Sequence, residues 1–548
     1  MPRPHKQLHA WREPPSARPA ATIMLLRDAD TGPEVLMTRR SLTASFAPGV
    51  FVFPGGTLDP ADSSPETLRV VAARPGQDLD TQAFSVAALR EAFEELGILL
   101  AYDSSGRMVT QQDLDRLERD PNAGITSQLA AAGYRLAIDQ VWHLRRWITD
   151  RDLPRRFDTH FFVARMPEGQ EPLADETEQF EPVWISPREA LERHSRRDFA
   201  MIFPTVRTLH GLAEYRTVNA ILATLADGPT EPASCPRAGT LKGAEARFAE
   251  SDPPFGELEL VAPDGGGSHA LDWQYERPVP LLRHVWRLTA PNPGMMTGPG
   301  TNSYIVGDHD AGFAVIDPGP DDPEHVARIA ALVGDRLRYI VCTHDHPDHW
   351  PAAPRLQASS GGVIHGLPGA GQHFDRNFFP ENKLHDGDCL RIGDSTLRAL
   401  HTPGHASGHI CLMLEEDHLL FSGDHIINGS TVVIDPPDGN MNDYLASLQR
   451  LLELPTKFIL PAHGWVIGEP AQAIRALIAH RLGREAKVIR ALAETGPCEI
   501  TQLVTRAYSD VPVALHQLAQ RSLLAHLEKL SENGRVALRD NRWRLLEK

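Results

Sequence analysis

The sequence predicts a multidomain protein of mixed α/β and α+β class. At 548 residues, the chain is too long for a single hydrophobic core. Two series of short apolar, strand-like runs end in residues that carry chemistry, glutamates in the first half and histidines with aspartates in the second half. A segment rich in Pro, Gly and acidic residues, 227–275, separates the two series and is predicted to be a linker with one short strand at 258–261.

Composition and charge predict a soluble protein of the cytoplasm. Apolar residues make up 41% of the chain and charged residues 23%, which is ordinary for a globular protein. The net charge of −17 argues against a protein that coats nucleic acid or an anionic membrane with its whole surface, although it leaves a local basic patch open. The five cysteines have no C-x-x-C spacing, and no apolar run is long enough to span a bilayer. Residues 1–17 lack the apolar stretch of a secretory signal and are predicted to be disordered, with a transit peptide as the alternative.

The first half carries three glutamates near the end of one predicted helix, 85–98. Glu91, Glu94 and Glu95 lie at i, i+3 and i+4, so they share one face and repel one another. They also stand near the C-terminal end of the helix, where the helix dipole disfavours negative charge. A solvated acidic face is the alternative interpretation, and the Phe-Pro-Gly-Gly loop at residues 53–56 favours a functional site.

These pieces resemble the Nudix hydrolase box, whose pattern is G-x5-E-x7-R-E-U-x-E-E-x-G-U. Gly56 matches the first glycine, and residues 90–98 match the second half, with Ala92 in place of a bulky aliphatic residue. The first glutamate of the box would fall on Asp62. Between Asp62 and Arg90 lie 27 residues where the pattern has seven, so this position departs from the family.

The resemblance implies an α/β/α sandwich at residues 18–226 that hydrolyses a pyrophosphate with the help of Mg²⁺ or Mn²⁺. Glu94 and Glu95 would hold the cation. Glu91 would be a further ligand or the general base, and Arg90 would orient the glutamates.

Residues upstream of the box resemble the coenzyme A diphosphatase branch of the family. The resemblance rests on residues 36–41, Gly49 and residues 53–56, whereas Ser45 stands where the branch motif carries an arginine. The substrate that this resemblance suggests is coenzyme A, an ester of it, or another nucleoside diphosphate derivative.

The second half is organised around residues 343–349, where three histidines and two aspartates follow an apolar, strand-like run. Side chains of this kind are costly to bury without partners, and neutral imidazole and carboxylate are the ligands that zinc takes. His344 and His346 alternate along an extended segment, so both leave it on one face. A solvated histidine-rich loop is the alternative, and the pair Asp348 and His349 directly behind favours a metal site.

Three further ligand candidates each follow an apolar run. His405 comes after a Pro-Gly turn, Asp424 ends a strand in Gly-Asp, and His463 ends a strand in His-Gly. The order H-x-H-x-D-H, then His, then Asp, then His resembles the metallo-β-lactamase superfamily. That resemblance implies an αββα sandwich at residues 276–474.

By the same resemblance, seven side chains hold two Zn²⁺ ions that activate water for hydrolysis. One ion is assigned to His344, His346 and His405, the other to Asp348, His349 and His463, and Asp424 bridges the two. Asp348 is also assigned a catalytic role.

Other histidines near the ligands are predicted to support them or to pack, and not to bind metal. They are His401, His409 and His425. The identity of the metals stays open at this stage, because imidazole and carboxylate also accept iron or manganese.

The C-terminal end, residues 475–548, resembles a winged helix with a basic wing. Only 38 residues separate Asp424 from His463, which leaves no room for the extra domain of the nucleic-acid-processing branch. Residues 480–485 resemble instead the lactamase-beta-2-like branch, whose members include an endoribonuclease acting on single-stranded RNA.

Contact of the wing with RNA phosphates and of Trp543 with a base is one interpretation. A packing or dimerisation module is the other, which leaves a homodimer open. The basic residues of the wing are Arg535, Arg539, Arg542 and Arg544.

The sequence therefore predicts a bifunctional metal-dependent hydrolase of small-molecule substrates. Its Nudix half would split a pyrophosphate, and its second half would hydrolyse an ester, a thioester such as an acyl-coenzyme A, or a phosphodiester. The alternative is a single-stranded RNA endoribonuclease whose Nudix half is a ligand-binding regulatory module. Asp62 and the insertion that follows it keep this alternative open.

Overall fold

The structure is a computed structural model in which the chain divides into two compact units. The N-terminal unit is Pro14–Pro236, and the C-terminal unit combines Met1–Glu13 with Arg237–Lys548. Ser45 lies outside the described residues. No helix in the described parts of the chain is long and apolar enough to cross a membrane. The structure describes residues 2–44, 47–119, 124–174, 179–228, 232–369 and 377–546.

A seven-stranded mixed sheet forms the centre of the N-terminal unit. Its order is β3-β2-β1-β8-β7, with β4 also paired to β1 and β9 to β2, whereas β5 and β6 form a separate pair. The central strands β1 and β8 run parallel. The strands are β1 (Ala17–Ala29), β2 (Gly32–Arg40), β3 (Phe51–Val52), β4 (Gly55–Thr57), β5 (Ala101–Tyr102), β6 (Arg135–Leu136), β7 (Trp142–Ile148), β8 (Arg156–Arg165) and β9 (Gln179–Ile185).

The longest helix of this unit, α2, packs its apolar face against the sheet. Val86, Leu89 and Phe93 lie in one buried cluster with Ile23 and Leu25 of β1. The helices are α1 (Pro65–Leu68), α2 (Leu79–Leu96), α3 (Gln111–Leu114), α4 (Ile125–Ala132), α5 (Pro187–Ser195), α6 (Phe203–Leu212) and α7 (Val218–Asp227).

Helix α2 starts six residues before the predicted start at residue 85. The side chain of Asp78 accepts a hydrogen bond from the backbone N–H of Thr81, which satisfies one of the free donors of the first turn. The helix ends at Gly97, whose φ of 68° is the left-handed conformation that glycine adopts without strain. The three glutamates therefore occupy its last two turns, as the sequence predicts.

Two facing sheets form the core of the C-terminal unit. One has the order β12-β13-β14-β15-β16-β17-β18 and the other β19-β20-β21-β22-β23. Val306 and Ile316 of the first sheet share a buried cluster with Leu412 and Phe421 of the second. The strands are β12 (Val279–Leu282), β13 (Val285–Thr289), β14 (Asn302–Asp308), β15 (Gly312–Ile316), β16 (Leu337–Val341), β17 (Val363–Gly366), β18 (Asn382–Lys383), β19 (Cys389–Ile392), β20 (Ser395–His401), β21 (Ile410–Leu414), β22 (Leu419–Gly423) and β23 (Phe458–Pro461).

Helices cover the outer faces of both sheets. Val326 and Leu356, from two helices, pack on the first sheet in a cluster with Ile340. Leu448 and Ile474, from two others, pack on the second sheet. These layers confirm the predicted αββα sandwich. The helices are α9 (Pro323–Val333), α10 (Ala353–Ser360), α11 (Met441–Leu452) and α12 (Pro470–Thr495).

The segment predicted as a linker is in large part folded. It forms a hairpin of β10 (Arg237–Leu241) and β11 (Ala244–Phe248), followed by the helix α8 (Phe255–Val261). The predicted strand at 258–261 is wrong, because these residues belong to α8. Leu258 and Leu260 are buried in that helix. The Pro- and Gly-rich composition of the surrounding segment gave no indication of this short helix.

The predicted disorder of the N-terminal residues is also wrong for the first of them. The Arg3 guanidinium donates to both carboxylate oxygens of Asp417, whose side chain is fully buried. His284 contacts the same carboxylate at 2.8 Å. This partnership crosses 414 positions of the sequence, and nothing local to Arg3 indicates it.

The C-terminal end folds as a winged helix after α12. Helices α13 (Ile500–Ala507) and α14 (His516–Glu532) precede the hairpin of β24 (Val536–Arg539) and β25 (Arg542–Leu545). The predicted domain boundary at 474/475 falls inside α12, which runs continuously from the sandwich into this module.

A buried ion pair in the C-terminal unit yields a stability prediction. Burial opposes ionisation of Glu257, but the Arg287 guanidinium and a hydrogen bond from His269 lower the pKa of its carboxyl to about 2. Glu257→Gln would leave the buried Arg287 without its counter-charge, and we expect the free energy of unfolding to fall by about 3–5 kcal/mol. Chemical denaturation measures this loss. Glu324→Gln is the control, since its pair with Arg328 is exposed and should change stability by less than about 1 kcal/mol.

The buried His526 yields a pH prediction. Burial, and then the nearby charges of Arg481 and Lys529, lower its pKa from the usual 6.5 to about 3. In the unfolded chain this imidazole takes a proton near pH 6.5, so the unfolded state binds more protons between the two values. Its contribution to stability is therefore complete above pH 6.5 and is lost as pH falls toward 3, at up to about 1.4 kcal/mol per pH unit. The free energy of unfolding of His526→Leu, measured between pH 4 and 8, should lack this dependence on pH. Variant and wild-type curves of the same slope against pH would contradict the prediction.

Candidate functional site

The seven predicted metal ligands come together at one edge of the two facing sheets. Residues 343–349 follow the end of β16, and His405 follows the end of β20. Asp424 directly follows β22, and His463 comes two residues after β23. Their ligand atoms form two compact groups. One group is His344, His346, His405 and Asp424, and the other is Asp348, His349 and His463.

In the first group, three imidazoles face one another. The Nε2 atom of His405 lies 3.0 Å from Nδ1 of His346. The ring centroid of His344 lies 4.5 Å from that of His346 and 5.1 Å from that of His405. Three nitrogen donors at this spacing match the ligand set that zinc takes in hydrolases.

Asp424, a member of the first group, also faces the second group. Its Oδ2 atom is 3.7 Å from Nε2 of His405 in the first group. Its Oδ1 atom is 3.1 Å from Nε2 of His463 and 3.6 Å from Nε2 of His349 in the second. The second group is completed by Asp348, whose Oδ2 atom is 3.2 Å from His349 and 3.4 Å from His463. One carboxylate therefore faces both groups, as a bridging ligand would.

The electrostatics of the cluster fit cations. Burial, together with neighbouring imidazoles, holds the pKa of His344 well below its usual value and lowers that of His405 to about 4, so both rings are neutral and can donate a lone pair. Burial also acts on His463, but the carboxylates of Asp424 and Asp348 outweigh it and raise the pKa of His463 to about 10. The second group thus attracts positive charge, which two protons or a divalent cation can supply.

A buried nitrogen without a partner gives the same indication. Among the described residues, Nε2 of His344 is buried and makes no hydrogen bond. A buried polar atom left in this way is costly, and a metal ion in the cluster would satisfy this nitrogen.

Two of the ligand rings are fixed through the nitrogen that faces away from the cluster. The Nδ1 atom of His405 is 2.8 Å from the carbonyl oxygen of Val433, and Nδ1 of His463 is 3.2 Å from that of Gly300. Contacts of this kind set the tautomer and aim Nε2 into the cluster.

Two supporting residues were missed by the sequence analysis. Asp317 accepts from the Thr343 hydroxyl at 2.9 Å and lies 3.0 Å from Nδ1 of His349. The Thr301 hydroxyl donates to Asp348 at 2.9 Å. An Asp-Pro-Gly turn at the end of a buried strand was the available signal for Asp317, whereas nothing local marks Thr301.

The other nearby histidines lie outside both groups that the described residues form. His409 contacts the Thr402 hydroxyl through Nδ1 and accepts from the backbone N–H of Asp424 through Nε2. His401 contacts the carbonyl of Ser407, and His425 packs against Tyr444 with its ring centroid 4.7 Å away.

In the N-terminal unit, Arg90 gathers the predicted Nudix residues. Its guanidinium donates to Asp62 at 2.9 Å, to Glu91 at 2.7 Å and to Glu94 at 3.1 Å. Glu95 accepts from the backbone N–H of Gly55 at 3.1 Å. Asp62, where the pattern has its first glutamate, is therefore brought to the same site in spite of the insertion.

The oxygen-rich donor set on α2 suits Mg²⁺ or Mn²⁺. Glu91, Glu94 and Glu95 do not converge into a compact metal group within the described residues, because two face Arg90 and the third faces Gly55. Burial raises the pKa of Glu94 above its usual value, and the Arg90 guanidinium offsets part of this shift.

The wing of the C-terminal module does not expose Trp543 for base stacking, which was one of the two interpretations of this segment. The indole is only 6% exposed and packs in the core of the winged helix with Leu503 and Leu527. Arg535, Arg539 and Arg542 are exposed.

The two folds define a hydrolase. The family model of the metallo-beta-lactamase superfamily matches residues 296–463, that of the NUDIX domain matches residues 17–125, and that of the beta-lactamase associated winged helix domain matches residues 500–543. The chain belongs to the metallo-β-lactamase superfamily and carries a Nudix domain before, and a β-lactamase-associated winged helix after, the sandwich.

Each of three known relatives covers less than half of this chain. The "Lactamase-like protein aptB" of Emericella nidulans is 30% identical over 273 residues, which span 47% of this chain and 84% of that protein. The "Atrochrysone carboxyl ACP thioesterase dmxR1" of a Cryptosporiopsis species is 29% identical, over 46% of this chain and 81% of that one. A crystallised NUDIX hydrolase from Alicyclobacillus acidocaldarius is 30% identical, with a TM-score of 0.36, over 39% of this chain and 99% of that one.

Proposed function

We propose that the chain is a bifunctional hydrolase whose C-terminal unit cleaves a thioester and whose Nudix unit cleaves a pyrophosphate. The observation that carries the proposal is the convergence of seven ligand side chains into two groups, with Asp424 facing both. The thioester is preferred because one relative is named an acyl carrier protein thioesterase. An acyl-coenzyme A also contains the pyrophosphate that a coenzyme A diphosphatase would split.

In the C-terminal unit, His344, His346 and His405 would hold one Zn²⁺. Asp348, His349 and His463 would hold the other, with Asp424 as the bridge. When bound, the two ions supply Lewis acidity and activate water. Thr301 fixes Asp348, which we assign as the carboxylate nearest the reacting group. Asp317 aims His349 into the cluster and Gly300 aims His463.

In the Nudix unit, Glu94 and Glu95 would hold Mg²⁺ or Mn²⁺, with Glu91 as a further ligand or as the base. Arg90 orients Glu91 and Glu94 through paired guanidinium contacts. Asp62 anchors the other side of the same guanidinium, which keeps Arg90 from turning away from the glutamates. Coenzyme A or a nucleoside diphosphate derivative is the proposed substrate.

Single-stranded RNA is the second candidate substrate of the zinc site, with the Nudix domain as a regulatory module. The exposed arginines of the wing favour it. The burial of Trp543 removes the aromatic platform that would stack a base, so the thioester remains the proposal. No disulfide joins the described cysteines, which supports a reducing compartment such as the cytoplasm.

The test assays the full chain on an acyl-coenzyme A, on coenzyme A and on single-stranded RNA. We expect Asp348→Ala/His349→Ala to lose thioester hydrolysis and to keep pyrophosphate hydrolysis. Glu94→Gln/Glu95→Gln should show the reverse. RNA cleavage by the wild type that the first variant loses, with no thioester hydrolysis, would replace the proposal with the nuclease.

A further inference from the structure

Helix α12 carries a buried arginine, Arg481, to which the proposed chemistry assigns no role. Arg481 belongs to the motif at residues 480–485 and is only 4% exposed. Its guanidinium donates to the carbonyl oxygen of Val432 and lies over the ring of Tyr444, 5.3 Å from the centroid. Within the described chain, Arg481 forms no ion pair with a carboxylate. A buried charge in such a place is costly, which points to a function for its position.

Arg481 donates to the carbonyl oxygen of Val432, and the next carbonyl along the chain contacts a proposed metal ligand. Val433 follows Val432, and its carbonyl oxygen lies 2.8 Å from Nδ1 of His405. The Nε2 atom of His405 then points at His346 and Asp424, at 3.0 Å and 3.7 Å. A single peptide unit therefore separates the arginine's acceptor from the acceptor that orients the ring.

The segment that orients His405, residues 432–438, makes two further polar contacts. Asp438 accepts from the backbone N–H of Ser407 at 3.1 Å and from its hydroxyl. Asp435 forms an ion pair with Arg521 of α14, but both side chains are well exposed, so this pair contributes little energy. The contact of Arg481 is a buried polar link between α12 and the segment that orients His405, and apolar side chains such as Ile474 of α12 and Ile434 of the segment pack in one cluster beside it.

We propose that Arg481 is a positioning residue for the proposed metal centre, acting through the Val432 and Val433 carbonyls on His405. The inference rests on the proposed function, because it needs His405 to be a metal ligand. Loss of the guanidinium frees the Val432 carbonyl, relaxes the segment, and lets the imidazole of His405 leave the orientation in which Nε2 faces the cluster. Contacts of this kind tune metal affinity by about 10–100-fold.

The test compares Arg481→Met with Arg484→Met in the full chain. Arg484 lies one turn further along α12 and is 8% exposed, but its partners, the Ala507 carbonyl and Asp510, belong to the winged helix. Affinity for Zn²⁺ is measured by competition with a chromophoric chelator, and Co²⁺ loading is followed by its absorption spectrum. We expect Arg481→Met to bind one of two ions about 10–100-fold more weakly with an altered Co²⁺ spectrum. Arg484→Met should lower only the unfolding temperature.

Each outcome decides the inference. Equal metal affinity and equal spectra in wild type and Arg481→Met overturn it, whatever happens to stability. If Arg481→Met does not fold, Arg481→Lys is compared with Arg484→Lys, and weaker metal binding by the former alone supports the role. A wild type that binds no Zn²⁺ or Co²⁺ refutes the proposed function itself, which separates that failure from a failure of the inference.

Discussion

Asp424→Asn is expected to lower the rate of thioester hydrolysis, as kcat/KM, by about 10³-fold. The carboxylate is buried and faces His405 on one side and His463 on the other. The amide keeps the size of the side chain but removes the negative charge that lets two dications lie close together. We also expect elemental analysis to find at most one equivalent of metal per chain in place of two.

The control for this prediction is His401→Gln. His401 lies at the end of β20 near the cluster, but among the described residues its ring contacts the Ser407 carbonyl and belongs to neither group. It should retain both metal equivalents and the wild-type rate. If Asp424→Asn also kept two equivalents and full activity, Asp424 would not be the bridge.

The proposed metal ligands could be predicted because each follows a strand. Residues 338–342 read as a strand, and β16 ends at Val341, so the H-x-H-x-D-H run had to leave the sheet edge directly. Asp424 and His463 follow β22 and β23 in the same way. A ligand residue directly after a strand can be recognised from the local sequence. The sheet then brings the strand ends, and with them the ligands, to one edge.

The supports of those ligands could not be predicted, because they depend on distant partners. Thr301 holds Asp348 across 47 positions, and Arg481 reaches Val432 across 49. Nothing in its own segment marks Thr301, and the motif at residues 480–485 indicates a family branch but no partner for Arg481. The folded segment after residue 236 was missed for a related reason, since α8 is short and its packing partners, such as Val466 and Gly468, lie far along the chain.

The second large effect is expected in the Nudix unit, where Glu95→Gln should lower pyrophosphate hydrolysis by about 10³-fold and leave thioester hydrolysis unchanged. Glu95 is buried, and its Oε2 atom accepts from the backbone N–H of Gly55, so the carboxylate is held beside the glycine loop. The amide removes the charge that a cation needs there. Steady-state assays on coenzyme A at saturating Mg²⁺ measure the loss.

Asp80→Asn is the matched control, since Asp80 is an exposed carboxylate in the first turn of the same helix, at the end opposite to the glutamates. It should keep full activity. A Glu95→Gln variant as active as the wild type would remove Glu95 from the metal site.

Whether a cation can displace Arg90 from the glutamates determines whether this unit is an enzyme or a regulatory module. Its guanidinium already neutralises Glu91 and Glu94, so a cation that binds there must compete with it. We expect Mg²⁺ titration of the full chain to give turnover of coenzyme A or a related pyrophosphate with the wild type. Binding of the nucleotide without any Mg²⁺-dependent turnover would mean that Arg90 stays paired with the glutamates and excludes the cation. The Nudix domain would then act as a sensor for the metallo-β-lactamase domain.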